Sequence, residues 1–449
     1  MDLIREAFYY KSRFEGSTMV FKIACPVTED PGFPYLMKDL ALLAQTGFRI
    51  VIVPGAKESI DAVLKRRGID SAYSGSGDLR EPMRVTTAEA IPFVEMAAFH
   101  VATRYMTFLS GSRVDALIGN FVRARGLGVV GGTDMGHTGT VDKIYAESIS
   151  RVLGLGMVPI LPCIGWSPSG RPYNVPSDEI ALEVSAALGA IKLFIVSMDG
   201  RINKNVFPLP ENIETRDDGS VVRLTPQEAE TVLTSLASQA PLAGAGGEMR
   251  AQALKELDLG LRACRAGVDR VHIIDAKEEG AVLKELFSNL GAGTMIYTDK
   301  YESIRPLRSH DLPDILRLME PLMQSGILIR RTAEDIQERK NDYSVFEIDG
   351  SVRACGALHD WGEGQGELAA VAADPFYSGM NLGRRIVGYL IDKARKNGLG
   401  RVFVLTTQTQ DWFESLGFHE ASLDSLPARK RQVYDRSRNS KVFALELEK

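Results

Sequence analysis

The stretch that most constrains this chain lies near its C-terminal end, where a strand, a turn-rich loop, a cationic helix and a second strand follow one another closely. The apolar run Leu368-Ala369-Ala370-Val371-Ala372-Ala373 stops at Asp374-Pro375, because proline cannot donate to a ladder. Ser378-Gly379-Met380-Asn381-Leu382-Gly383 is rich in turn formers, Arg384 to Lys396 reads as a cationic amphipathic helix, and Arg401 to Leu405 is again a β-type run. Such a loop aims free backbone N–H groups and the positive end of a helix at one point, which suits a pyrophosphate.

The flanking text completes a module over residues 304–447. Ile304-Arg305-Pro306-Leu307 is a short extended run, Ser309 a polar start, and Leu312, Ile315, Leu316 and Met319 recur at helical spacing. Tyr343 to Ile348 and Val352 to Leu358 flank Asp349-Gly350, a strong hairpin signal. A hairpin, then strand, loop, helix and strand, is the order expected of an α+β acyltransferase.

Here the chain resembles the GNAT acetyltransferases, which bind acetyl-coenzyme A at this loop through a Gln/Arg-x-x-Gly-x-Gly/Ala pattern. Ser378 stands at the first polar or basic position, Asn381 replaces the first glycine, and Gly383 is in register. Asparagine reaches the left-handed backbone at small cost. Over the rest of the module the chain is similar to the bacterial N-acetylglutamate synthase family. The matching segments are Gly326 to Arg331, Gly366-Glu367-Leu368-Ala369, Phe403 to Thr407 with Trp412-Phe413, Gly417-Phe418 and Arg438-Asn439-Ser440.

That family joins its acetyltransferase to an amino-acid-kinase-like domain, and the upstream text has the matching rhythm. Strands are expected at Val20 to Ala24, Arg49 to Val53, Val158 to Leu161, Lys192 to Val196 and Arg270 to Ile274, with helices such as Tyr35 to Ala44 between them. Phe48 to Ala56, Arg84-Val85-Thr86, Gly132-Thr133-Asp134, His137-Thr138-Gly139, Glu285-Leu286-Phe287 and Gly291-Ala292-Gly293-Thr294 resemble that domain. The expected fold class is α/β. An amphipathic helix in 1–18 precedes a three-layer αβα, amino-acid-kinase-like domain with a largely parallel open sheet in 19–298; a linker, 299–303, leads to a GNAT domain in 304–449.

Active amino-acid kinases place a Lys-x-Gly-Gly turn after the first strand. This chain has Lys22-Ile23-Ala24-Cys25-Pro26, and proline removes an amide donor and fixes its own φ. Regulation and assembly, rather than phosphoryl transfer, are what the resemblance implies. It places an arginine effector at Glu285, Gly291 and Gly293, since a carboxylate pairs with a guanidinium in a charge-assisted fork. An exposed helix charge is the other reading of Glu285. Asp2 to Phe14 resembles a helix that links subunits into rings, which implies a homo-oligomer, a hexamer being one form; a capping helix on its own domain is the alternative.

Composition limits the remaining options. A chain of 449 residues, 45% hydrophobic, has material for two or three cores. A net charge of −5 gives no basic field for nucleic acid. No apolar run approaches the roughly 20 residues of a membrane-spanning helix, and Met1 to Arg13 has no signal-peptide core. Cys25, Cys163, Cys264 and Cys355 are scattered without metal-ligand spacing. The expectation is a cytoplasmic protein with reduced thiols, no metal, and no nucleic-acid or membrane partner.

The reaction implied by the resemblance moves acetyl from acetyl-coenzyme A to the α-amine of L-glutamate, opening ornithine and arginine synthesis. Glu367 would be the general base through water. Ser440 would face the departing thiolate, with Tyr434 as its rival. Arg330 and Arg438 would meet two carboxylates; Leu328 and Ala370 would offer main-chain groups to the substrate. Val371 and Ala372 would reach the thioester or pantetheine, and Ser378, Gly379, Asn381, Gly383 and Arg384 would hold the coenzyme. Without the resemblance, Glu367 reads as a solvated strand-end charge and Arg330-Arg331 as a solvated pair. A different amino-acid acceptor, or an arginine-sensing scaffold with impaired catalysis, stays open.

Overall fold

The computed structural model describes residues 8, 10–12, 14–74, 82–198, 200–206, 208–210, 213, 215–238, 245–287, 292–298, 302–375, 377 and 381–447. Contacts divide the chain into two units, Met1–Asp299 and Lys300–Lys449.

The first unit is built on an eight-stranded sheet. Its order is Arg223–Leu224, Thr294–Tyr297, Arg270–Asp275, Lys192–Ser197, Thr18–Ile23, Arg49–Pro54, Val158–Ile160 and Ala116–Ile118. Neighbours run parallel except Arg270–Asp275 against Thr294–Tyr297. Successive side chains of a strand alternate between faces, and both faces here are apolar. Phe21, Ile50, Ile52 and Phe194 pack with Leu40, Val94 and Val101 from helices on one side. Val20, Val51, Val53, Leu193 and Ile195 pack with Ile180, Val232 and Leu257 on the other. This is the three-layer arrangement that near-continuous apolar strands require.

The turn after the first strand is closed. Ala24 N–H donates to Val196 O, and residues Cys25–Glu29 wind into a 3-10 turn with proline near its start. Lys22 is buried against Asp178 at 2.8 Å. Of the described residues in the N-terminal segment, Tyr10 and Phe14 are buried in the core of their own unit while Phe8 is exposed; the rest of Asp2 to Phe14 lies mostly outside the described residues.

The second unit has a seven-stranded sheet in the order Glu302–Pro306, Tyr343–Ile348, Ser351–Asp360, Gln365–Ala373, Arg401–Thr406, Lys441–Glu446 and His419–Ala421. Asp349 (φ 50°) and Gly350 (φ 78°) make the hairpin turn, two left-handed residues matching the twist of the strands they join. The helix Leu312–Gln324 covers one face, with Ile315, Leu318 and Met319 against Val345, Cys355 and Ala357. The helix Leu382–Lys396 covers the other, with Val387, Leu390 and Ala394 against Leu358, Leu368 and Val402.

Glu302 and Ser303, expected in the linker, already pair with Ile348 and Glu347. The strand begins earlier than its apolar text because ladder hydrogen bonding does not depend on side-chain polarity.

Candidate active site

The ladder of the second sheet is interrupted at its centre. Gln365–Ala373 and Arg401–Thr406 pair in parallel only at Gln365↔Arg401, Gly366↔Val402 and Glu367↔Phe403. Each strand is still paired on its outer side, Arg401–Thr406 along its whole length and Gln365–Ala373 up to Ala373. Beyond Glu367 the two inner edges share no ladder, so their N–H and C=O groups are available to a ligand.

A β-bulge accompanies the divergence. Cys355 opposes Ala372 and Ala357 opposes Ala369, so the register shifts between them. Ala370 is buried with φ 53°, a conformation that costs an L-residue roughly 1–2 kcal/mol. The extra residue changes which side chains share a face: Ala370 and Ala372 join the cluster under Leu312–Gln324, while Leu368 and Val371 face Leu382–Lys396. Val371 and Ala372 therefore follow the bulge directly, on the strand whose inner edge is open.

Glu367, at the last paired position, is buried rather than solvated. Lys430 Nζ lies 2.8 Å from Oε1 and 2.6 Å from Oε2, and Trp361 Nε1–H donates to Oε2 at 2.8 Å. The ammonium also sits 4.7 Å from the Trp361 ring centre. Directly across the ladder is His359, buried, its Nδ1 2.6 Å from Asp342 Oδ2. Burial pushes the His359 imidazole below its ordinary pKa, against the opposing pull of Asp342 and Glu367. Sequence reasoning missed Lys430, Trp361, His359 and Asp342. Lys430 lies 63 positions from Glu367 inside Arg429-Lys430-Arg431, a run that reads as a solvated face, so no local signal marks it.

Of the residues expected to meet the acceptor, Arg438, Leu328 and Ala370 are linked by contacts and Arg330 follows close in the chain. Arg438 Nη2 donates to Gly326 O at 2.7 Å and Ile327 O at 3.1 Å. It thereby pins the segment that carries Leu328 and Arg330. Leu328 N–H donates to Leu322 O at 2.9 Å, and its side chain packs on the cluster that contains Ala370. Arg330 is exposed with no partner among the described residues, whereas Arg331 is half-buried and donates to Ile329 O. Asn439 takes φ 47°, and the Tyr434 hydroxyl donates to Ser440 O at 2.6 Å. That bond commits the phenolic proton to the backbone and fixes the chain at Ser440.

At the loop before Leu382–Lys396, Asn381 occupies the left-handed region (φ 50°, ψ 30°) and no side chain caps the helix. A side chain at Gly383 would press on Trp412, whose Cζ2 would be 3.3 Å from the added carbon. Arg384 is exposed and its Nη2 approaches Ser415 O at 3.4 Å. Ser378 and Gly379 lie outside the described residues. Three of the six left-handed non-glycine residues among the described residues, Ala370, Asn381 and Asn439, fall at the bulge, the loop and the Arg438–Ser440 segment.

In the first unit Glu285 is buried, so the exposed-charge alternative fails. Its Oε1 takes the Nδ1 hydrogen of His272 at 2.7 Å, and its Oε2 takes the amides of Ala292 and Gly293. Burial alone would raise the Glu285 carboxyl, yet these donors hold it below the usual carboxylate range. Burial, with Lys192 nearby, holds the His272 imidazole below its ordinary value. A side chain at Gly293 would overlap Ile273 O; Gly291 lies outside the described residues. All four cysteines are buried and free. Among the described residues no group of His, Cys, Asp or Glu could hold a metal ion, and no helix is long and apolar enough to cross a membrane.

Residues 23–204 match the amino acid kinase family and residues 312–421 the acetyltransferase (GNAT) family. The chain is 34% identical to an amino-acid acetyltransferase of Pseudomonas fluorescens, with 99% of this chain and 98% of the relative covered. The amino-acid acetyltransferase of Escherichia coli is 32% identical, with 99% and 97% covered. Among solved structures, the chain is similar to N-acetylglutamate synthase from Neisseria gonorrhoeae complexed with coenzyme A and L-arginine, at a TM-score of 0.81 and 30% identity over 100% of this chain and 99% of that one. The same synthase complexed with coenzyme A and N-acetyl-glutamate gives a TM-score of 0.59 at 31% identity, over 100% and 99%.

Proposed function

The chain belongs to the amino-acid acetyltransferase family, and on that premise we infer how its own residues carry the reaction. The enzyme is an N-acetylglutamate synthase: it moves the acetyl group of acetyl-coenzyme A to the α-amine of L-glutamate. Acetylation blocks internal cyclisation of later intermediates, which suits the first step towards ornithine and arginine.

The observation that supports the site best is the buried Glu367 at the point where the central ladder opens beside the Ala370 bulge. Acetyl-coenzyme A takes the open edge. Its pantetheine replaces missing ladder partners, amides near Val371 and Ala372 polarise the thioester carbonyl, and the loop at Ser378, Gly379, Asn381, Gly383 and Arg384 receives the pyrophosphate. Arg330 and Arg438 meet the two carboxylates of glutamate, with main-chain groups of Leu328 and Ala370 beside them. Glu367 accepts the amine proton through water. Ser440, its backbone held by Tyr434, hydrogen-bonds the departing thiolate. No step of this reading calls for a metal ion.

The kinase-like unit, its phosphate turn closed by Pro26, serves as the seat of an arginine effector at Glu285, Gly291 and Gly293, the carboxylate of Glu285 holding the amide of Gly293. A cytoplasmic homo-oligomer, a hexamer being one form, completes the reading. The test is thiol release from acetyl-coenzyme A with each common amino acid, with and without arginine. Release with glutamate alone, changed by arginine, is expected; folded protein that releases no thiol with any acceptor would make the chain a sensor instead.

A further inference from the structure

We propose that Lys430 is a positioning residue of the acetyl-transfer site, holding Glu367 in one orientation so that its Oε1 receives the amine proton. This rests on Glu367 being the base. Oε2 already accepts from two donors, Lys430 Nζ and Trp361 Nε1–H, whereas Oε1 accepts from Lys430 alone. Oε1 therefore keeps the lone pair that a water carrying the proton needs. The two contacts from one ammonium also fix the plane of the carboxylate, which a single donor would not.

The clamp is built from two segments tied to each other. Lys430 rides on Ala428–Gln432, and Ala428 N–H donates to Glu363 Oε1 at 3.0 Å. Glu363 and Trp361 belong to the turn that leads into the strand of Glu367, and Glu363 itself is left-handed at φ 55°. Both charges are nearly sealed from solvent, Glu367 at 6% and Lys430 at 8% exposure. A buried ion pair is a poor way to gain stability compared with apolar packing, so its retention beside an open ladder points to use.

The charged groups around Glu367 are Lys430, the His359–Asp342 pair across the ladder, and Arg331, which acts on His359. When Oε1 takes the proton, Lys430 loses its counter-charge. That favours return of the proton to water once the amide has formed, leaving the carboxylate ready for the next turnover. No bond other than the transferred N–H is broken at this residue.

The experiment uses the full chain and measures thiol release with glutamate across neutral pH. Lys430→Met is expected to lower kcat by about 10- to 100-fold, since small misplacement of a catalytic group has that cost, with the acetyl-coenzyme A KM nearly unchanged. Lys430→Arg should restore part of kcat. Adding Lys430→Met to Glu367→Gln should cost nothing further if the two act as one unit. Full additivity, or a wild-type kcat in Lys430→Met, overturns the proposal. Should Lys430→Met fail to fold, Lys430→Gln, which keeps a donor but neither the charge nor the contact with both oxygens, takes its place; unchanged kcat there would equally overturn the proposal. Wild-type protein inactive with glutamate would instead remove the function itself, and an active wild type indifferent to Lys430 removes only the clamp.

Discussion

Each unit buries one carboxylate at a key position, and the two are held in opposite ways. Glu285 is bound by an imidazole N–H and two backbone amides; Glu367 is bound by a full cation and an indole N–H. The amides at Glu285 are those of Ala292 and Gly293, a few residues after it, so the carboxylate ties its own helix to the backbone that follows. The donors at Glu367 are side chains, Trp361 six positions before it and Lys430 63 positions after it, beside strand edges that share no ladder. A buried acid tied to backbone amides shapes the chain around it, whereas the proposed base is held by side chains where a ladder opens.

Glu367→Gln tests that contrast most severely. Glutamine keeps the shape and can still accept from Trp361, but it cannot take a proton. We expect kcat to fall by about 10²- to 10⁴-fold, the span of general-base contributions, with little change in the acetyl-coenzyme A KM. A kcat within tenfold of wild type would put the base elsewhere and dissolve the comparison.

Arg438→Ala comes next. It removes a guanidinium assigned to a substrate carboxylate and also frees Gly326 and Ile327. Hydrogen bonds to charged groups contribute about 1.5–3 kcal/mol, so the glutamate KM should rise by roughly 10- to 100-fold while that for acetyl-coenzyme A holds. Equal rises in both would mean that Arg438 supports the whole fold of the unit rather than the acceptor.

Glu285→Gln should act on stability and regulation instead. The glutamine oxygen can still take the amides of Ala292 and Gly293, but its nitrogen then meets the Nδ1 hydrogen of His272, and losing that hydrogen bond to a buried charged group costs about 1–3 kcal/mol. Thiol release without arginine should persist and its response to arginine should vanish; loss of the basal activity would contradict the division of labour. The same cluster sets a pH dependence. Both Glu285 and His272 are held below their ordinary values, so the stability they contribute is present above the unfolded values and lost on acidification. The loss should begin as pH falls below about 6.5, where the unfolded chain protonates its histidine and the buried imidazole does not, and continue through about 4.3 as unfolded glutamate protonates. Thermal melts in wild type and His272→Phe, which cannot titrate, check it: the first part of that slope should flatten in the variant.

Much of this was legible in the text because it is local. Asp349-Gly350 announces a hairpin, Pro26 announces a closed turn, and the alternating apolar runs announce a sheet covered on both faces. Asn381 was readable as a left-handed residue from its side chain alone. Lys430 was not, since its partner is distant in sequence and Arg429-Lys430-Arg431 has the composition of a solvated surface. Nor could the text show that Glu285 is buried, because burial depends on where the turn at Ala292 folds back. Single-residue bulges are equally silent: nothing in Leu368-Ala369-Ala370-Val371-Ala372 says which alanine turns left-handed.

Ala370 therefore offers the smallest but most discriminating test. An alanine at φ 53° carries strain that glycine would not, partly offset by the extra freedom glycine brings to the unfolded chain. Ala370→Gly should raise the melting temperature slightly, by about 1 kcal/mol of stability or less, and keep most of kcat. Ala370→Val should lower both, because a β-branched side chain tolerates the left-handed region poorly. In a regular strand the signs would reverse, with glycine the weaker residue and valine well accommodated. The sign of two small shifts thus decides whether the ladder opens at a bulge here, and with it whether the carboxylate one turn of the strand away stands beside free backbone groups or inside an ordinary sheet.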